Sequence, residues 1–264
     1  MNQGKYIFSQ VMELVSHKVF NACVKRYKGD YKTKQFSCWK QFLCMAFGQL
    51  THRESLSDTI LCLRANAGKL YHMGIGQAIA KSTLSNANES RDCRIFSDIA
   101  MVLIEEAKSL YLNDSDLEVD LKNNVFAIDA TVIDVCLSAF SWAKFRSTKG
   151  GVKVHVQLDL KTAIPEFIQI TTASIHEVNI LDNISFQPDS FYVLDRGYTA
   201  FDKMYTIHKS KAFFIIRAKD NLNFSRISSV PIKKQSGVLC DQTIRLNGYY
   251  AQKDFPVRMR RVKF

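Results

Sequence analysis

The sequence predicts a mixed α/β architecture, a helical N-terminal region followed by a mixed five-stranded sheet with flanking helices. Three observations carry that prediction. Apolar residues recur at helical spacing up to about residue 112. From Val125 the period drops to two, and Val152, Val154, Val156 and Leu158 alternate with polar neighbours. Beyond His176, helical and strand-like segments take turns, as in a sheet with helices on its faces.

Ser37 is placed to cap a helix from Cys38 to Thr51, in which Trp39, Phe42, Leu43, Ala46, Phe47 and Leu50 recur at helical spacing. Ser55 starts a second helix carrying Leu56, Ile60, Leu61 and Leu63, which ends at the Asn66–Gly68 break. A third begins near Ser82, and a fourth runs from Cys93 to Leu112. The segment from Lys81 to Arg91 has a Ser/Thr cap, small polar residues on one face and a basic residue at each end. It is either the second helix of a helix-turn-helix, with Lys81, Ser82, Thr83 and Arg91 reaching bases and phosphates, or an ordinary capped connector.

Asn113 to Asn124 is acidic and polar, a junction whose charges read as solvated surface. Strands are expected at Val125–Val135, Gly151–Leu160 and Pro165–Thr172. The short connection from Asp159 to Ala163 makes the last two an antiparallel hairpin, with Asp159 as a turn residue. A helix at His176–Ser185, a strand at Phe191–Asp195, a helix at Thr199–Lys209 and a strand at Ala212–Arg217 follow. Short strands are expected at Val238–Leu246 and Val257–Val262. The organisation is therefore 1–115 helical, 120–220 sheet, and 221–264 the start of a β-rich segment that is expected to be incomplete at Phe264.

Hydrophobic residues form 47% and charged residues 23% of the 264, the balance of a globular chain that can bury a core. No apolar run approaches bilayer length, and Met1 to Gln10 has no signal-peptide pattern, so a cytoplasmic protein without membrane contact is expected. The seven cysteines form no C-x-x-C pair and sit mostly in apolar contexts, as buried reduced thiols rather than zinc ligands. A net charge of +11 points to a polyanion partner, nucleic acid first.

Two aspartates stand in apolar strands, Asp129 within Val125–Thr131 and Asp195 within Phe191–Tyr198. Burying a carboxylate in such a run is costly unless a positive charge neutralises it. Two carboxylates brought together repel, and a hard divalent cation such as Mg²⁺ or Mn²⁺ relieves both problems. That chemistry suits phosphodiester cleavage or joining. Asp134 falls on the opposite strand face from Asp129 and reads as structural or surface. His155 either approaches the site or caps a polar face, and Glu177 matches a helix-dipole position. Glu177 is also the one internal substitute for a third carboxylate.

Three segments together resemble the core of bacterial insertion-sequence transposases of the DDE type, which have an RNase H-like fold. They are Phe126–Asp134, Phe140–His155 (with its Trp-Ala-Lys-Phe-Arg run) and Val193–Tyr198. The resemblance also covers the Thr83–Arg94 region, similar to the family's helical DNA-binding part. It implies binding of double-stranded DNA, both element ends and target, by a homodimer in bacterial cytoplasm. It further implies metal-dependent strand cleavage and strand transfer, with Asp129 and Asp195 as catalytic metal ligands for Mg²⁺ or Mn²⁺. The family's glutamate after a β-rich insertion has no counterpart here, so this chain is expected to lack the third carboxylate. Lys144, Arg146, Lys149 and Lys153, interleaved with aromatics, suit DNA backbone contact, or else the aromatics belong to the core and the cations to the surface. Arg196 either pairs with Asp195 or holds a phosphate. The alternatives are a DNA-binding inhibitor of transposition without catalysis, or another RNase H-like nuclease.

Overall fold

The computed structural model describes residues 5–111, 122–135, 143, 150–232 and 237–264. The chain divides into two compact units, Met1–Ala107 and Lys108–Phe264. Among the described residues no helix is long and apolar enough to cross a membrane.

The first unit is helical: α1 Ile7–Met12, α2 His17–Arg26, α3 Cys38–Leu50, α4 Leu56–Ala65, α5 Lys81–Ser90, and most of α6 (Arg94–Leu110), whose last three residues belong to the second unit. Ser37 caps α3 by accepting from the Lys40 amide, and Ser55 caps α4 through the Asp58 amide, as the sequence predicts. Two apolar clusters hold the unit. Leu43, Phe47, Ile60, Leu63, Leu70 and Leu84 form one, and Phe20, Val24, Cys38, Ile95 and Ile99 the other. Burial pushes the Cys38 and Cys44 thiols up to about 12, in keeping with inert reduced cysteines. Cys136 lies outside the described residues.

Two expectations about α5 need correction. Its cap position is Ala80, which offers no side-chain bond, so no Ser/Thr cap exists. Residues 66–80, including a short 3-10 helix at Ala67–Lys69, separate α4 from α5. A helix-turn-helix joins its helices through three or four residues, so this pair is not a compact one.

The second unit centres on a five-stranded sheet: β1 Val125–Val135, β2 Gly150–Asp159, β3 Pro165–Thr172, β4 Phe191–Leu194 and β5 Phe213–Ile216, in the order β3-β2-β1-β4-β5. β2 pairs antiparallel with β1 and β3, while β4 is parallel to β1 and β5. This is the mixed sheet expected of an RNase H-like fold. Asp159 closes the β2–β3 turn by accepting from the Lys161 amide, as predicted. Phe126, Ile128, Tyr192 and Leu194 project to one face, where the 3-10 helix Glu177–Asn183 and α7 (Phe201–Lys209) cover them. On the other face, register aligns Ile168 and Ile170 with Val156 and Val154, and Phe213 and Ile215 with Phe191 and Val193. Ile168, Ile170, Phe213 and Ile215 are all exposed.

A second sheet, β6 Phe224–Ser229, β7 Cys240–Leu246 and β8 Met259–Lys263, is antiparallel in the order β6-β7-β8. With α8 (Tyr249–Asp254) it packs on α7 through Met204, Leu246 and Phe255. Sequence reasoning missed β6 and α8: β6 is mostly exposed, so its pattern carries no apolar alternation.

Candidate active site

Parallel register sets the geometry of the site. Ile128 lies beside Leu194, so the next row places Asp129 beside Asp195. Asp195 stays extended at φ −75° and ψ 165°, and it prolongs β4 by one residue before the chain turns. Neighbouring strands lie about 4.8 Å apart, and residues in one row project to the same side. The two carboxylates therefore meet at the C-terminal ends of two parallel strands, where chain reversals leave the sheet edge open.

Both aspartates are exposed. The expected burial among apolar neighbours is corrected for a plain reason. β1 is buried through Ile128 and reaches solvent from Asp129 onward, and β4 ends at Leu194. Among the described residues neither carboxylate makes an ion pair or hydrogen bond. Asp134, five residues on, is exposed opposite Gly151.

Beside the turn that follows Asp195 lies a set of polar groups that the sequence did not assign together. Lys153, at the β1–β2 interface, has a side chain only 8% exposed. Its ammonium donates to the Ile175 carbonyl at 3.0 Å and pairs with Glu177 Oε1 at 3.2 Å. Glu177 Oε2 occupies the space over Gly197, where a Cβ would lie 2.8 Å away. His155 is fully buried, with Nε2 on the Thr171 hydroxyl at 2.9 Å, so it does not cap a polar face. Burial lowers its basicity, the Lys153 charge lowers it further, and Glu177 opposes both. Tyr198 is fully buried in the core, and burial raises its phenol, with smaller contributions from Glu177, Asp129 and Asp195. His155 Nδ1 and Tyr198 Oη are the buried side-chain polar atoms left without a partner among the described residues.

The predicted DNA-contacting residues divide. Lys81, Ser82 and Thr83 are exposed on α5, whose inner face is Leu84 and Ala87. Arg91 instead turns inward. Its side chain is 8% exposed and bonds Gln41 Oε1 at 2.8 Å and the Phe36 carbonyl, with Asp30 at 3.7 Å. Lys153 is likewise engaged within the fold. Arg196 pairs with the exposed Asp220 at 3.2 Å and not with Asp195. Lys144, Arg146 and Lys149 lie outside the described residues.

A divalent cation of magnesium type needs one or two carboxylates and fills its other positions with water and substrate phosphate. Two adjacent, accessible and unpaired carboxylates fit that requirement. No group of three or more His, Cys, Asp or Glu side chains close enough to hold a metal occurs among the described residues.

Comparison with known proteins gives two family matches and several relatives. A family described as "Transposase DDE domain" matches residues 120–263, and one described as "Domain of unknown function (DUF4372)" matches residues 3–76. A protein of Sinorhizobium fredii named as transposase y4zB is 27% identical over 183 residues, covering 68% of this chain and 49% of that protein. One of Geobacillus stearothermophilus, named as a transposase for insertion sequence element IS5377, is 24% identical over 119 residues, 43% of this chain and 31% of its own. A third, from Synechocystis and named for insertion sequence element IS4SA, is 24% identical over 158 residues, 58% and 44% of the two chains. The chain spans at most about half the length of these relatives.

Proposed function

The chain belongs to the transposase DDE domain family, and on that premise we propose that it binds the ends of a DNA element and serves metal-dependent cleavage and transfer of its strands. The observation that carries this reading is the alignment of Asp129 with Asp195 in one row of the sheet, exposed and without cationic partners among the described residues.

Asp129 and Asp195 would hold Mg²⁺ or Mn²⁺. When bound, the ion lowers the pKa of an attacking water and stabilises charge on the phosphoryl and leaving oxygens. The two side chains hold negative charge at a fixed point of the rigid sheet, open to a DNA backbone. Exposed Lys81, Ser82 and Thr83 are proposed to meet DNA from α5, and Arg196 to meet a phosphate beside Asp195 once freed from Asp220. Lys144, Arg146 and Lys149 are proposed for the same backbone contact. Arg91 and Lys153 are assigned to the fold instead, because each already satisfies buried partners. Pairing two DNA ends calls for two subunits, so a homodimer on DNA in the bacterial cytoplasm is proposed.

A second reading is a DNA-binding protein that occupies element ends without cutting them. It is favoured by the grouping of only two carboxylates, with no third metal-ligating side chain among the described residues. One experiment separates the readings: incubate the chain with DNA carrying the ends of its element and Mn²⁺, and follow binding and strand cleavage. Salt-sensitive binding with cleavage that Asp129→Asn and Asp195→Asn each abolish supports the first reading. Binding without cleavage supports the second. Absence of binding at low salt overturns both.

A further inference from the structure

Among the described residues, the two buried side-chain polar atoms without partners, Tyr198 Oη and His155 Nδ1, both lie within electrostatic range of Glu177. Buried polar groups are almost always paired, so two such exceptions around one carboxylate mark it as more than a helix-start charge. Glu177 is held from one side and bears on the other. Lys153, anchored in β2 and tied to the Ile175 carbonyl, grips Oε1. Oε2 sits against Gly197, two residues after Asp195. The turn itself is short and closed by backbone, with the Tyr198 amide donating to the Asp195 carbonyl at 3.0 Å. A shift of Gly197 is thus transmitted directly to Asp195.

We propose that Glu177, clamped by Lys153, is a positioning residue that fixes the Asp195–Tyr198 turn so that Asp195 stays in the same row as Asp129 and the two can share one divalent cation. Glu177 is not itself a ligand. Its carboxylate lies against the turn, and a Cβ at Gly197 would come within 2.8 Å of Oε2 and push the carboxylate away. This inference rests on the metal-binding reading of Asp129 and Asp195.

The test uses the full chain and Fe²⁺ with ascorbate and peroxide, which cuts the backbone around a bound iron whether or not DNA is cleaved. Mn²⁺ titration gives affinity in parallel. The original protein is expected to be cut near both residues 129 and 195, and Asp129→Asn to lose both cuts. Glu177→Ala and Gly197→Ala are expected to keep the cut near 129, lose the one near 195, and bind Mn²⁺ about 10–100-fold more weakly, the usual cost of an outer partner of a metal ligand. Glu177→Gln, which keeps the shape of the side chain, is expected to recover much of the second cut. Gly197→Ala keeps every charge and guards against a trivial loss of folding in Glu177→Ala. Both cuts and unchanged Mn²⁺ affinity in folded Glu177→Ala and Gly197→Ala would overturn the positioning role. No cut in the original protein would instead overturn the metal-binding reading, and the inference with it.

Discussion

Arg91 in the helical unit and the Asp129–Asp195 pair in the sheet unit are opposite solutions to placing charge in a protein. The guanidinium is enclosed and bonded to Gln41, the Phe36 carbonyl and Asp30. The carboxylates face solvent and nothing in the described fold neutralises them. A charge that serves the fold is desolvated and paired, because leaving it unpaired costs several kcal/mol. A charge that serves a ligand is left accessible, and its repulsion from a like neighbour is relieved only when the ligand arrives.

The contrast can be broken most sharply at Arg91. Arg91→Met should cost about 3 kcal/mol, since it strands the Gln41 and Phe36 acceptors and removes the Asp30 partner. Urea denaturation of the full chain, followed by a probe in the helical unit, reads this directly. A loss below about 0.5 kcal/mol would put Arg91 among the surface cations and return it to the DNA-contacting set.

A smaller effect is expected at His155, which shares the buried strand with Lys153. Its folded pKa lies below the ordinary value of about 6.5, because the interior and the Lys153 ammonium disfavour the charged ring. Above that value the ring is neutral in both states and costs nothing. As pH falls through about 6.5 the unfolded chain takes up the proton first, so stability drops until the folded ring also protonates. The loss between pH 7.5 and 5.5 should therefore be larger for the natural chain than for His155→Gln. Equal losses would mean that the ring is accessible to solvent.

The smallest effect on stability is expected at the carboxylates. Asp129→Asn and Asp195→Asn should each leave the melting temperature unchanged or slightly raised, within about 0.5 kcal/mol, since each removes a like-charge repulsion from an exposed row. Mn²⁺ binding, followed by calorimetry, should vanish in both. Destabilisation above 1 kcal/mol with metal binding intact would make these aspartates structural.

Much of the fold was legible in the chain. Ser37 and Ser55 marked helix starts because a cap is a local interaction over three residues. The β2–β3 hairpin followed from strand periodicity and a short turn. What failed was non-local. Arg91 ends α5 as a base-reading residue would, and only packing against α3 reveals that it points inward. His155 and Lys153 alternate with valines as surface residues do, yet they lie buried beneath the 3-10 helix from Glu177 to Asn183. The exposed β6 offered no apolar rhythm to read.

The sequence alone settled which residue types lie on which strands, because alternation, caps and turns are encoded within a few neighbouring positions. It thereby placed Asp129 in one strand and Asp195 at the end of another, as the expected candidates for a metal pair. Tertiary structure decided that β1 and β4 are parallel neighbours, which puts those two carboxylates in one row, and that Glu177 meets both Lys153 and the Gly197 that follows Asp195. Strand order and register depend on free energy summed over contacts distant in sequence, and no local pattern records that sum.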